Sequence, residues 1–177
     1  MHIVGLGAIV EDADLGWYRS EAVPVAVLGG AECRFALEGY ADDSAPDDFH
    51  AAIRNFLALD RSAIEAAASS IFAYYRDVTD QVMADGDDGG CVAIEGPDRV
   101  LDHVRLGSEL LVSRDPYGDQ RVYVSIEGEC DWEPEHGLQI VFREGVTVTK
   151  VGPYDGHLTN AAAYDDDRLE GVVYRAL

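Results

Sequence analysis

The chain has 177 residues, of which 34 are acidic and 13 are basic, and its formal net charge is −21 at pH 7. This charge argues against nucleic acid and anionic membranes as partners, because their phosphates would be repelled, and it favours a basic partner or divalent cations. No run of apolar residues approaches the roughly 18 that a membrane span needs. The same acidity would serve a protein that only has to stay soluble, or one from a salt-tolerant host, so charge alone assigns no function.

The first 40 residues predict a β-meander. Gly29 and Gly30 are typical of a tight turn, and Pro24 favours an edge position for its strand because proline cannot donate a ladder hydrogen bond. The alternation of apolar and other residues from Cys33 to Leu37 indicates a half-buried strand. Strands are expected at about 3–10, 17–28 and 31–39.

Residues 46–84 predict a helical segment. Pro46 is typical of a helix start, and apolar residues follow it at helical spacing. Ser62 and Glu65 fit a capping box, in which both side chains satisfy free backbone N–H groups. From Ser62 the apolar spacing predicts a second helix of about five turns that ends near Val82.

Residues 97–160 predict a short helix followed by a second β-meander, and residues 161–177 form a tail. Strands followed by helices and then by strands favour an α+β fold rather than a parallel α/β fold. We therefore expect a single acidic α+β domain over residues 1–177, with antiparallel β-meanders and a central two-helix segment packed on the sheet. The strands of the second meander are expected at about 109–114, 121–127, 138–143 and 146–151.

Two acid-and-histidine clusters flank the hairpin predicted from the last two strands. The first cluster is residues 133–136 (EPEH) and the second is residues 155–157 (DGH). With Glu144 and Gly145 as a two-residue loop, Arg143 would face Val146. His136 would then fall opposite Pro153, and both clusters would lie at the open end of the hairpin. The candidate binding residues at this end are Trp132, Glu133, Glu135, His136, Tyr154, Asp155 and His157.

Three roles are open for this group. Histidine and carboxylate side chains bind metals, but the spacing of Glu135, His136, Asp155 and His157 matches no metal motif. A Glu–His pair could perform acid–base catalysis, although no nucleophile motif, phosphate-binding loop or dinucleotide-binding loop accompanies it. The third role is structural or binding, with Asp155 and Glu135 capping turns and the histidines hydrogen-bonding to them, and we favour it. We therefore expect no catalytic residue, no bound metal and no cofactor.

The residues around these clusters also resemble a known family. Residues 129–139 (ECDWEPEHGLQ) and 155–159 (DGHLT) are similar to the signature of an uncharacterised family of bacterial proteins, a domain of unknown function. Weaker similarity lies in residues 49–57 and 122–127. The resemblance implies a cytoplasmic bacterial domain and an association with immunity proteins of polymorphic toxin systems, and it assigns no activity.

The charge and the resemblance together predict a non-enzymatic cytoplasmic binding protein of the immunity type. Its expected partner is a basic protein such as a toxin, because complementary charge speeds association. One alternative is a metal-dependent or acid–base enzyme that uses Glu135, His136, Asp155 and His157. Another is a structural or assembly domain that acts through an exposed edge strand or the helical layer. The sequence does not predict the oligomeric state.

Overall fold

The computed structural model describes residues 1–86 and 92–176, and in this part of the chain nine strands form one sheet. The strands are β1 (His2–Ile3), β2 (Gly7–Asp12), β3 (Trp17–Ser20), β4 (Val23–Val25), β5 (Ala31–Leu37), β6 (Val104–Arg114), β7 (Val122–Cys130), β8 (Leu138–Arg143) and β9 (Thr147–Gly152). Their order in the sheet is β1-β2-β3-β5-β6-β7-β8-β9, with β4 paired to β5. Neighbouring strands are antiparallel except β5 and β6, which are parallel.

The helices lie mainly between β5 and β6 along the chain. They are α1 (Pro46–Leu57), α2 (Ser62–Glu65), α3 (Ala68–Ala84) and, near the C-terminus, α4 (Asn160–Tyr164). Short 3-10 turns occur at Ala26–Leu28, Tyr40–Asp42, Val100–His103 and Asp167–Leu169.

One apolar core lies between the sheet and the helices α1 and α3. Phe56 of α1 packs edge-on against Phe35 of β5 and Phe142 of β8, with ring centroids 6.2 and 5.3 Å away. Tyr74 of α3 donates its hydroxyl hydrogen to the Gly137 carbonyl oxygen at 3.0 Å. Burying a large apolar side chain contributes about 1.5–3 kcal/mol, so the packing of this layer stabilises the fold. The expected α+β fold is confirmed.

The second predicted helix differs from the structure at its start. The helical segment from Ser62 is interrupted, so that α2 is one turn and α3 begins at Ala68. The predicted capping box is wrong, because neither helix start carries a side-chain cap. Asp60 instead accepts hydrogen bonds from the N–H and the hydroxyl of Ser62. Asp60 therefore satisfies the Ser62 N–H group that Glu65 was expected to cap. The Glu65 carboxylate lies instead 3.4 Å from the Arg61 side chain.

The predicted register of the β8–β9 hairpin is also wrong. Arg143 faces Thr147 rather than Val146, and a bulge after Val141 shifts the pairing by one further residue. Glu144 and Gly145 both adopt the left-handed conformation of a two-residue turn, with φ of 52° and 68°, and the Val146 N–H donates to the Arg143 carbonyl oxygen at 3.0 Å, yet the strand ladder resumes only at Thr147. The Asn55 side chain of α1 donates to the Glu144 carbonyl oxygen at 3.0 Å, so the loop also contacts the helix.

The face of the sheet opposite α1 and α3, which we call the second face, is polar near its centre. Ser125, Gln139 and Lys150 lie there, and all three side chains are buried. Residues 153–159, which we call the strap, follow β9 and cover this face through contacts with Lys150. The strap therefore lies where residues from several strands meet, and it is the element that carries the second acid-and-histidine cluster.

Candidate functional site

A groove with a volume of about 760 Å³ opens beside a break in the pairing of β6 and β7. We call it the glutamate groove, and it is lined by residues 105–108, 127–130 and 133–138 and by Tyr154. Two glycines let its walls approach. A Cβ atom on Gly128 would lie 2.9 Å from the Arg105 carbonyl oxygen, and one on Gly137 would lie 2.4 Å from the Gly128 carbonyl oxygen.

Four of the seven candidate residues line the glutamate groove: Glu133, Glu135, His136 and Tyr154. Trp132 does not, since it is buried in the core against the rings of Tyr74 and Tyr75 at centroid distances of 6.0 and 5.7 Å. Asp155 binds Lys150 on the second face of the sheet, and His157 borders a different cleft. The structure therefore brings the two clusters to neighbouring positions but not into one site.

The first cluster is shaped by Glu133. One oxygen of its carboxylate accepts the backbone N–H groups of Glu135 at 3.0 Å and His136 at 3.1 Å. The same oxygen lies 3.5 Å from Nδ1 of His136. Glu133 thus caps a turn, a role that the sequence predicted for Glu135 and Asp155. Glu135 and the His136 ring are exposed on the groove wall.

Sequence reasoning missed Glu127, which faces Tyr154 across the groove. Burial and the neighbouring Glu109 carboxylate raise the pKa of Glu127. Burial, followed by the Glu127 carboxylate, raises the pKa of Tyr154. The local signal was the pair of glutamates around Gly128 at the end of a predicted strand, where alternation places Glu127 and Glu129 on the same face.

The cation of the groove is already engaged. Arg105 donates from Nε to Glu129 at 3.2 Å and from Nη1 to Asp131 at 2.9 Å. Glu127 and Glu135, in contrast, form no ion pair with any residue that the structure describes. The groove therefore presents two carboxylates with no cationic partner among the described residues.

The second cluster is organised by Lys150, the only lysine in the sequence. Its Nζ donates to Oδ1 of Asp155, to Oε1 of Gln139 at 2.8 Å and to the His157 carbonyl oxygen at 3.3 Å. Burial lowers the pKa of Lys150, while the bond to Asp155 opposes this change. Asp155 Oδ1 also accepts the His157 N–H at 2.9 Å, so this carboxylate holds a turn of the strap as well as the buried ammonium group.

The geometry gives little support to a metal centre. Across residues 1–86 and 92–176, no three histidine, cysteine, aspartate or glutamate side chains are arranged to hold a metal ion. Glu135 and His136 lie on the groove, whereas Asp155 and His157 are drawn towards Lys150.

None of the helices in the described part of the chain combines the length and apolar character of a membrane span.

Comparison with known families gives one match. The profile of a domain of unknown function, DUF6985, matches residues 5–158. No curated protein and no solved structure matches the chain. The expectation of a family of unknown function is confirmed, and the association with immunity proteins stays a prediction.

Proposed function

The chain belongs to the DUF6985 family, a domain of unknown function, and we propose that it is a non-enzymatic protein that captures a basic protein partner through the glutamate groove. The observation that carries this proposal is the pair of carboxylates, Glu127 and Glu135, that face the groove without a cationic partner among the described residues. An arginine or lysine side chain of a partner would supply the missing positive charge, since ionised hydrogen-bond partners form the stronger contacts.

The charge of the whole chain supports the same partner class. A net charge of −21 attracts basic surfaces over a distance and raises the rate of encounter. In this proposal the partner is a basic toxin, and the protein is an immunity-type inhibitor in the cytoplasm. A basic toxin that acts on nucleic acid would be blocked where its cationic surface meets the groove.

Acid–base catalysis receives less support from the same geometry. The Glu133 carboxylate oxygen nearest to His136 already accepts two backbone N–H groups. In the second cluster, the Asp155 oxygen nearest to His157 already binds Lys150 and a backbone N–H. A general base needs a free oxygen within reach of its substrate, and the oxygens nearest to these histidines are engaged.

The direct test is protection of cells by the intact protein. Each basic toxin encoded beside the gene is expressed with and without this protein, and survival and the binding affinity of the purified pair are measured. We expect protection against one of these toxins and a Kd that rises with salt, because screening weakens charge-driven association. No protection and no binding with any of these toxins would overturn the proposal.

A pair of double variants locates the contact. Glu127→Gln with Glu135→Gln removes both groove carboxylates and should raise the Kd by roughly tenfold or more. The matched control, Asp14→Asn with Glu21→Gln, removes the same charge from exposed positions near β3 and should change the Kd by less than about twofold. Equal effects of the two double variants would show that net charge, and not the groove, binds the partner.

A further inference from the structure

We propose that Lys150 is a positioning residue for the glutamate groove: by holding the strap on the second face of the sheet, it keeps Tyr154 beside Glu127. The consequence for partner binding rests on the function proposed above, whereas the placement of Tyr154 does not.

The hydrogen bonds around Lys150 involve three strands, β7, β8 and β9. The Lys150 side chain is 2% exposed, and its Nζ reaches the strap at Asp155 and at the His157 carbonyl oxygen. The third acceptor is Gln139 of β8, which donates in turn to the Ser125 hydroxyl of β7 at 3.0 Å. A chain of bonds therefore connects the strap to β7, β8 and β9 through one ammonium group. A buried ammonium group is costly unless it is paired, so these contacts form together.

The strap has little apolar packing to hold it. Tyr154, Asp155, Gly156 and His157 are all exposed, and Tyr154 retains 41% of its accessible surface. Other ties of the strap include the Tyr154 N–H, which donates to the His136 carbonyl oxygen at 3.1 Å, and the Thr149 hydroxyl, which donates to the Leu158 carbonyl oxygen at 3.4 Å. The Tyr154 side chain also interacts with the Glu127 carboxylate. Polar contacts thus set the path of the strap, and two of them come from the buried Lys150 ammonium group.

The strap separates two concave surfaces. Tyr154 lines the glutamate groove, while Gly156 and His157 line a second cleft of about 600 Å³. Asp155, the residue that Lys150 binds, lies between these two sets and directly follows Tyr154. Loss of the bond at Asp155 would therefore free the backbone next to Tyr154 and open the wall of the groove that the tyrosine forms.

Hydrogen exchange in the protein without a partner tests the placement. Lys150→Met keeps most of the length of the side chain and removes its charge, and Asp155→Ala removes the acceptor in the strap. Because Asp155→Ala leaves the buried ammonium group without its ionised partner, the double variant Lys150→Met with Asp155→Ala is measured as well if either single variant unfolds. We expect the amides of residues 154–158 to exchange at least about tenfold faster in both variants, with α3 and β7 unchanged. The matched control, Arg121→Met, removes an exposed cation that contacts Glu144 at 3.0 Å and should leave strap exchange unchanged. Unchanged strap exchange in both Lys150→Met and Asp155→Ala would overturn the proposal.

Titration of Tyr154 distinguishes positioning from a general loss of stability. Glu127, Glu38 and Asp155 are the carboxylates that raise its pKa in addition to burial. Release of the strap should lower that pKa towards its ordinary value, as measured by NMR of labelled tyrosine in Lys150→Met, a variant that keeps the Asp155 carboxylate. A faster-exchanging strap with an unchanged Tyr154 titration would also overturn the proposal. Failure to find a partner would count against the proposed function and would leave these two measurements to decide the role of Lys150.

Discussion

Gly145 is the residue on which the β8–β9 turn depends most directly. Its φ is +68°, and a Cβ atom there would lie 2.0 Å from the Ala52 carbonyl oxygen of α1. A side chain would therefore meet two penalties, a left-handed backbone that L-residues disfavour and an overlap with helix backbone that cannot move freely. The glycine lets the hairpin and the helix approach each other.

Gly145→Ala should lower the free energy of unfolding by at least about 3 kcal/mol, measured by urea denaturation. Gly16→Ala is the matched control, because Gly16 has the same φ of +68° and a methyl group added there would have no neighbouring atom within 4 Å. That variant should lose only about 1 kcal/mol, the cost of the backbone conformation alone. Equal losses in the two variants would contradict the contact with α1.

At the scale of single residues, the sequence predicted that carboxylates cap turns but named Glu135 instead of Glu133 and Glu65 instead of Asp60, and it did not predict distant contacts. The capping role of Glu133 follows from its position beside Pro134 and two backbone N–H groups, all within four residues. The role of Lys150 depends on Gln139, which lies 11 residues away, and on a strap that folds back over the sheet. No local pattern distinguishes a buried lysine of this kind from a solvated one.

Among the elements, α1 is joined to β6 by one arginine. Arg114 of β6 donates to Asp43 from Nε at 2.7 Å and from Nη2 at 2.9 Å, and it also reaches Asp48 in the first turn of α1 at 2.9 Å. The Asp43 side chain is 9% exposed, so this pair is shielded from water on the carboxylate side. The hydrogen bonds from Arg114 hold the pKa of Asp43 below its usual range.

Asp43→Asn should reduce stability by about 1–3 kcal/mol at pH 7, because hydrogen bonds to an ionised partner are lost. Since the folded state lowers the pKa of Asp43, the contribution of the carboxylate is full above the unfolded value of about 3.9 and is lost as pH falls through the folded value. The difference between the wild type and the variant should therefore shrink as pH falls below about 5 and through the lowered folded pKa of Asp43. Urea denaturation at several pH values measures it. Asp14→Asn, at an exposed position, serves as the control, and a difference that is independent of pH would contradict the assignment.

The elements were predictable in kind but not in pairing. Apolar periodicity gave α1 and the strands β7 and β8 close to their observed bounds. The hairpin register was wrong because Val146 lies outside the ladder and a bulge follows Val141, in a loop that also contacts α1 through Asn55 and the close approach of Gly145. Local turn rules describe the backbone of a loop in isolation and do not include such a neighbour.

For the whole molecule, the step that sequence reasoning did not reach is the union of two meanders in one sheet. β5 pairs in parallel with β6, with Phe35 facing Leu110 and Leu37 facing Val112. A parallel pair needs a crossover, and here the helical segment between Leu37 and Val104 provides it. Both strands are apolar on the side that faces the helices, so their composition is compatible with two separate sheets as well as with one. The pairing of β5 with β6 depends on how the helical segment between them packs.

From the net charge of the molecule we predict that added salt stabilises the fold and weakens the binding of a basic partner. With 34 acidic and 13 basic residues, compaction brings like charges together, and added salt screens their repulsion over a Debye length of about 10 Å at 0.1 M. The free energy of unfolding should therefore rise by about 1 kcal/mol or more between 10 and 300 mM NaCl, whereas the affinity for a basic partner should fall. Urea denaturation and titration calorimetry in the same buffers measure the two effects. Asp14→Asn with Glu21→Gln lowers the self-repulsion and should show a smaller gain in stability with salt. A loss of stability with salt would show that attractive ion pairs, such as Arg114 with Asp43, outweigh the repulsion among the excess carboxylates.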